Sequence, residues 1–434
     1  MPFETIGTAP RRIAVIGAGI SGLAAAHLLA RNHRVTLIEA EPRLGGHART
    51  VMAGKRGDQP VDTGFIVLNK VTYPHLTELF ERLDVPLVES NMSFGASFEG
   101  GRFEYALSSL DAVFAQRRNL AHPKYLRMLR DILRFNARAA VMADNPAMTI
   151  RELLAVLRTG AWFRDRYLLP LSGAIWSTPT QDVLDFPAAA LVQFFRNHAL
   201  MGYSGQHQWY TIKGGSIEYV RRFEAALRGQ GVEIRTNAPI AAVRRPVGTG
   251  AAVELRPHGG GWEGFDDVVF ATHADDSLRL LADASPVERA ALGAIRYQPN
   301  EAVLHSDTTL MPRRRKVWSS WVYCEDTVKR SPRIDLTYWM NSLQPIPMDD
   351  PHFVTLNTTR PIREDLIHDV TTFRHPVYDL AALQAQEVIG ARNGTRNTWF
   401  CGAWMRNGFH EDGFASAVTV ADAMAERHLR LEAA

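Results

Sequence analysis

Arg12-Ile-Ala-Val-Ile-Gly-Ala-Gly-Ile-Ser-Gly22, running on through Leu23–Ala30 to Val35-Thr-Leu-Ile-Glu39, decides the fold of this 434-residue chain. Arg12–Ile16 is a short apolar run with β-branched side chains, the pattern of a buried parallel strand. Leu23–Ala30 is rich in Leu and Ala and predicts a helix. Val35–Glu39 repeats the strand pattern, so the stretch reads as a βαβ unit. Its glycines have separate tasks: Gly17 makes the tight turn, Gly19 lets a pyrophosphate approach the backbone, and Gly22 lets helix and strand pack closely. Ile20 and Ser21 complete the turn, and the helix N-terminus behind it favours an anion. Glu39 lies 22 residues after Gly17, where a carboxylate accepts from ribose hydroxyls.

Composition agrees with a folded chain of two or three domains. Apolar residues make up 46% and charged residues 22%, which excludes a disordered chain, a fibrous repeat and a multi-span membrane protein. Cys324 and Cys401 are too few for a disulfide framework or a four-thiolate metal site and fit a reducing compartment. No His, Cys and Asp spacing makes a metal site. Arg11-Arg12 before the apolar stretch Ile13–Ala30 imitates a twin-arginine signal or a membrane span, but the glycine spacing and His27 argue for the nucleotide turn.

The next segment distinguishes FAD from NAD. Glu39-Ala-Glu-Pro-Arg-Leu-Gly-Gly-His-Ala-Arg-Thr50 places Gly45 and Gly46, flanked by Ala40 and His47, just after the acid. A second glycine turn there receives the ribityl and pyrophosphate part of FAD, with Arg43 or Arg49 to offset phosphate charge. Val61-Asp-Thr-Gly-Phe65 reads as a turn that brings Asp62, Gly64 and Phe65 to the flavin ring.

These residues resemble the FAD-binding start of the flavin amine oxidase superfamily, which also holds carotenoid desaturases and a polyenoic fatty acid isomerase. The resemblance continues through Trp209–Ser216, Asp267–His273, Phe400-Cys-Gly-Ala-Trp404 and Gly408–Ala415. It implies an α/β fold in which a Rossmann-like FAD-binding domain of the glutathione-reductase and amine-oxidase type is interleaved with an α+β substrate domain. The first would take residues 1–85, 206–275 and 381–434, the second 86–205 and 276–380. It also implies contacts to FAD from Ala271, Gly402, Gly413 and Phe414, and from Ile240 against adenine. The last helix, read as Phe414–Leu431, would point its positive N-terminus at the flavin pyrimidine ring and stabilise the reduced anion. Phe65–Asn69, Tyr73-Pro74, Met92–Phe94, Ala174–Ser177, Tyr338–Asn341, His375–Val377 and Phe409–Gly413 are similar to a bacterial branch of predicted NAD/FAD-binding proteins. Some members of that branch resemble the acyl-chain desaturases of furan fatty acid synthesis.

Two departures bear on the chemistry. Many amine oxidases hold a lysine near flavin N5, where Gln298–His305 here offers Asn300 or Glu301, and Ala403 replaces the acid that usually follows the glycine of the closing strand. The substrate expected is therefore an acyl chain of a membrane phospholipid, desaturated by hydride loss to flavin N5 and proton loss to a base, or isomerised. An amine oxidase is the first alternative, and an accessory flavoprotein that recruits a lipid-modifying partner is another. His410, Glu411 and Asp412 are the candidate catalytic residues, with Glu411 or His410 as base; the alternative is that Asp412 caps the last helix and Glu411 favours its positive end. His198 and Ser177 are lesser candidates. Phe94, Phe98, Trp176, Phe194, Phe195, Trp209 and Trp339 are candidates to line an acyl tunnel, some of them plain core.

Arg117–Arg138 carries seven cations against Asp131, a net +6 that exceeds the +3 of the whole chain. From Lys124 the cations recur every three or four residues with apolar side chains between them, the pattern of a helix lying on an anionic membrane surface. Arg313–Trp321 mixes cations with tryptophans as interfacial anchors do. The expectation is a cytoplasmic protein, peripheral on the inner face of the membrane, without a nucleic-acid partner and with homo-oligomerisation left open.

Overall fold

Five parallel strands, in the order Glu233–Arg235, Arg34–Ile38, Arg12–Ile16, Asp267–Phe270 and Thr398–Phe400, form the sheet that the opening motif predicts. A computed structural model of the chain describes residues 10–143, 145, 148–176, 182–197, 201, 207–246, 252–325, 335–358 and 360–432. Alternation along the central strand decides the layers, because successive strand residues face opposite sides. Ile13 and Val15 join a core made with helices Ile20–Leu29, Ile217–Gly229 and His410–Glu432. Ala14 and Ile16 join another made with helices Ala274–Leu280, Pro286–Ala294 and Leu380–Arg392. Both faces are covered, which is why the strand reads as an unbroken apolar run.

A seven-stranded sheet stands beside it, in the order Ile367–Pro376, Tyr297–His305, Phe353–Leu356, Leu336–Trp339, Trp321–Cys324, Phe94–Phe98 and Phe103–Ala106. Its neighbours are antiparallel, except that Phe94–Phe98 runs parallel to Trp321–Cys324. A hairpin around Gly100-Gly101 forms the edge of this sheet, and both glycines adopt positive φ. Helices Pro123–Met142, Ile150–Leu157 and Ala188–Asn197 share its core through Phe135, Leu153 and Phe195. The two sheets draw on interleaved stretches of chain. Helices Ala274–Leu280 and Pro286–Ala294 pack with the nucleotide-side core, so after Phe270 the chain returns to the second sheet at Tyr297.

The last helix begins at His410, one turn earlier than Phe414, because the Asp412 carboxylate accepts from the Phe409 N–H at 3.0 Å. Gly413 falls inside this helix for a packing reason. A Cβ there would lie 2.8 Å from Ile20 Cγ2 and 2.8 Å from Ser21 Oγ. The N-terminal turns of the first and last helices therefore meet at this glycine.

Within Arg313–Trp321, Trp318 is packed against the protein itself. Trp318 donates its indole N–H to Pro312 O at 2.8 Å, meets Trp339 and Phe353 edge-on, and is covered by the Arg315 guanidinium. That cation–π stack uses the aromatic faces internally.

Candidate active site

The cradle is built from two glycine turns. Gly17 has φ +96°, and a Cβ on it would lie 2.8 Å from Ala271 O, while a Cβ on Gly22 would lie 1.8 Å from Gly17 O. Gly19 is different: the nearest atom to its missing Cβ is Gly46 Cα, 4.0 Å away. Gly45 N–H donates to Ala18 O at 2.8 Å, and Gly19 bridges Gly45, so the second glycine turn stands against the first across open space. The helix behind Gly19 has no side-chain cap and no acid in its first turn. Its leading N–H groups are thus available to an anion. The first turn of the last helix converges on the same place through Gly413.

Glu39 directly follows the second strand, which ends at Ile38. Its carboxylate accepts from Ala18 N–H at 2.7 Å and Glu41 N–H at 2.9 Å, leaving lone pairs on both oxygens for ribose hydroxyls. Asn237 and Ala238 donate to Glu41 and Glu39 carbonyls, which sets buried Ile240 beside the Glu39 end of the sheet. Ala40 is exposed at the same edge. Ala271 lies on the first turn, and Gly402 is required because a Cβ would meet the Trp404 indole at 2.4 Å. Gly64 is likewise forced, with a Cβ position 2.0 Å from His47 O. Phe414 is buried and stacks with His75.

Several expectations need correction. Arg43 donates to Gly46 O and Ala48 O, and Arg49 makes a two-pronged ion pair with Asp369, so neither guanidinium is aimed at a phosphate. They brace the second turn and tie it to the neighbouring sheet. The Asp62 carboxylate is a latch within the protein. Fully buried, it accepts from Ser216 N–H and Oγ–H, the Thr50 hydroxyl and the Gln344 amide, and burial pushes its pKa up to about 6.

The acidic triplet is also reassigned. Glu411 accepts from His75 N–H at 2.9 Å and Leu76 N–H at 3.0 Å, at the start of helix Pro74–Arg82. It caps a neighbouring helix, and the expectation of a base at Glu411 gives way to that role. Asp412 caps its own helix, with its pKa raised to about 6 by burial. His410 stacks on Phe65 at 3.9 Å between centroids and shares a hydrogen bond of 2.7 Å with the Tyr219 hydroxyl. Burial lowers its pKa to about 3. Ser177 and His198 lie outside the described residues. Of the tunnel candidates, Phe98 and Phe195 are fully buried core, Trp209 belongs to the nucleotide-side core, and the side chains of Trp176 and Phe194 lie outside the described residues.

Sequence reading missed a wall of imidazoles. His47 packs against Phe373, His375 and His273, with centroids 4.9, 5.5 and 5.8 Å away. Desolvation lowers the pKa of all three histidines, that of His375 to about 4, so the wall is neutral at pH 7. Asn300 stands behind it. Glu301 N–H donates to Asn357 Oδ1, which turns the Asn357 amide to donate to Asn300 Oδ1 at 2.6 Å. The Asn300 amide is thereby oriented to donate to His375 Nδ1 at 2.9 Å, leaving the ring proton on Nε2. Close by, His273, Asp275 and Asp276 gather as metal ligands do, but Arg374 already pairs with both carboxylates.

The chain matches the family model of flavin-containing amine oxidoreductases over residues 20–310. The chain belongs to this family. Its cofactor is FAD, and the paired glycine turns, the uncapped helix start and Glu39 fit that dinucleotide. Hydroxyneurosporene desaturase of Cereibacter sphaeroides is 28% identical over 351 residues, 72% of this chain and 63% of that protein, so the chain spans less than two thirds of that relative's length. Two solved structures share the flavoprotein fold. The fatty acid isomerase of P. acnes that produces CLA has a TM-score of 0.65 at 16% identity, over 96% of this chain and 98% of that one. A putrescine oxidase variant has a TM-score of 0.68 at 15% identity, over 96% and 99%.

Proposed function

We propose that this flavoprotein is an oxidoreductase that desaturates a fatty acyl chain of a membrane phospholipid, or moves a double bond along it. The observation that carries the reading is that the stretch expected to hold the amine-oxidase lysine offers Asn300 or Glu301 instead, with Asn300 bonded to His375 behind a neutral wall of rings. An ammonium substrate needs a carboxylate partner, and Glu411 and Asp412 are both engaged as helix caps. An acyl chain needs only apolar and aromatic surroundings, at about 0.8 kcal/mol per buried CH₂. The desaturase and isomerase names among the similar proteins agree with this reading.

Desaturation breaks C–H bonds on adjacent carbons, one losing hydride and the other a proton, and leaves a double bond. Bound FAD supplies the two-electron acceptor for the hydride. Asn300 holds the His375 ring in one tautomer with its Nε2–H on the opposite edge. That ring has no free nitrogen lone pair, so the proton acceptors this wall offers are the neutral imidazoles of His47 and His273.

Delivery of the substrate falls to the basic segment. Leu107, Leu110, Leu120, Leu126, Leu133 and Val141 are all exposed, and Lys124, Arg127, Arg130 and Arg138 are exposed among them. Buried Asp131 accepts from Gly160 N–H at 2.9 Å and lies within 4 Å of Arg127, Arg130 and Arg134, so it fixes the helix without screening its outer cations fully. This face suits an anionic leaflet, in accord with a peripheral protein on the inner side of the membrane. Among the described residues no helix is long and apolar enough to cross one.

Anaerobic stopped-flow absorbance tests the chemistry. Unsaturated phospholipid micelles should bleach the flavin, and putrescine or amino acids should not; the reverse pattern overturns the reading. Lipid mass spectrometry of cells with and without the protein tests its narrower form, a desaturation step toward furan fatty acids.

A further inference from the structure

Away from the flavin cradle, Arg102, Arg118, Arg313 and Arg314 converge with Gly101 around a surface cavity of about 450 Å³. The cavity is built from distant stretches. Arg102 follows the turn of the edge hairpin, Arg118 lies on the helical turn Arg117–Ala121 that leads into the basic helix, and the other two precede the strand Trp321–Cys324. Glu104, fully buried beneath them, accepts from Arg313 N–H at 2.8 Å and from the Arg314 guanidinium at 2.8 Å. Arg118 donates to the Arg102 carbonyl. Arg313 lies across Gly101, where a Cβ would meet its Cδ at 2.8 Å, so the absence of a side chain there leaves room for the arginine.

The charges do not cancel. Among the described residues, Glu104 is the carboxylate paired with these four guanidiniums, and it is paired with Arg314. Nearby Asp111 is already shared by Arg117 and Lys316. A cluster of arginines with one buried counter-charge is a poor arrangement for stability alone and a good one for a phosphate, whose oxygens accept forked guanidinium bonds. Exposed Leu120 shares the helical turn of Arg118, and exposed Leu107 and Leu110 follow the hairpin strand that carries Glu104, so apolar side chains of the face assigned above to the membrane lie close in sequence to the cavity.

We infer that this arginine cavity binds the phosphate of a phosphomonoester headgroup on an anionic phospholipid, and so registers the protein on the bilayer. The inference rests on the membrane reading of the basic helix and deepens it. A monoester carries close to two negative charges at pH 7, which matches four guanidiniums better than the single charge of a diester.

The test uses the full-length holoprotein and flotation on vesicles of neutral phosphatidylcholine doped to equal surface charge with phosphatidate or phosphatidylglycerol. Wild type should bind phosphatidate vesicles at least about tenfold more tightly, the loss of one charge-assisted bond being about that large. Arg118→Gln with Arg313→Gln should abolish the preference while retaining binding to phosphatidylglycerol, which the helix supplies. Arg127→Gln with Arg130→Gln should weaken both vesicles and keep the preference. Flavin absorbance and thermal melting show that each variant is folded. An unchanged preference in the Arg118 and Arg313 variant overturns the inference. Absence of flotation on either vesicle, with inorganic phosphate raising the melting temperature only when Arg118 and Arg313 are present, overturns the lipid source and the membrane reading together.

Discussion

Substitution of Glu411 separates a helix cap from a catalytic base. Its two oxygens accept from His75 and Leu76 N–H groups at 2.9 and 3.0 Å, and the residue is 8% exposed. A hydrogen bond to a charged group contributes about 1.5–3 kcal/mol, and a carboxylate at a helix N-terminus adds about 0.3–1 kcal/mol. Glu411→Gln keeps one acceptor and should cost about 2 kcal/mol. Glu411→Ala leaves both N–H groups without a partner and should cost about 4 kcal/mol. At about 2.1 cal/mol/K per residue, this 434-residue chain unfolds with an entropy near 0.9 kcal/mol/K. Those losses correspond to falls in Tm of about 2 °C and about 4–5 °C. Calorimetry measures the first quantity, and anaerobic flavin reduction per bound flavin measures the second. The cap assignment requires the reduction rate to stay within about twofold, whereas loss of a general base lowers it by about 100-fold or more. An unchanged Tm together with a hundredfold slower reduction would refute the assignment.

Gly19→Ala should leave Tm unchanged, because no protein atom lies closer than 4.0 Å to the added Cβ, yet reduce the flavin content of purified protein; Gly22→Ala, with its 1.8 Å clash, should destabilise the fold itself. His410 has a folded pKa of about 3 against about 6.5 unfolded, so the unfolded chain binds the proton first, and the stability present above pH 6.5 is lost as pH falls toward 3. Between pH 7.5 and 5.5 this group alone removes about 1.4 kcal/mol, so urea denaturation of His410→Gln should show a correspondingly smaller acid loss than wild type. Arg127→Gln with Arg130→Gln should weaken binding to anionic vesicles by about 2 kcal/mol, near thirtyfold, with the gap closing at high salt in flotation assays.

The nucleotide half of the fold was legible because its signals are local. Arg12–Ile16, the glycine turn and Glu39 lie within one stretch whose residues touch one another, and the structure moves only element ends: the helix starts at Ile20 and ends at Leu29, and the second strand runs Arg34–Ile38. Gly413 also lets the last helix pack against Ile20 and Ser21, a helix crossing that periodicity does not disclose. The imidazole wall has no local signal. His375 meets Asn300 only because Tyr297–His305 pairs with Ile367–Pro376 in a register that opposes Gln298 to His375. The arginine cavity has the same origin, since the parallel pairing of Phe94–Phe98 with Trp321–Cys324 brings together residues about 200 positions apart.

Adjacency in sequence misled most at His410-Glu411-Asp412, and the reason is geometric. Three consecutive residues in the first turn of a helix point in directions about 100° apart, so they cannot all face one ligand. Here Glu411 turns to helix Pro74–Arg82, Asp412 folds back to the Phe409 N–H, and His410 lies flat on Phe65. Both carboxylates are held by backbone donors at helix starts, and burial raises the pKa of each. Residues that look like catalytic acids in the sequence act in the fold as caps: one closes its own helix and the other the helix beside it.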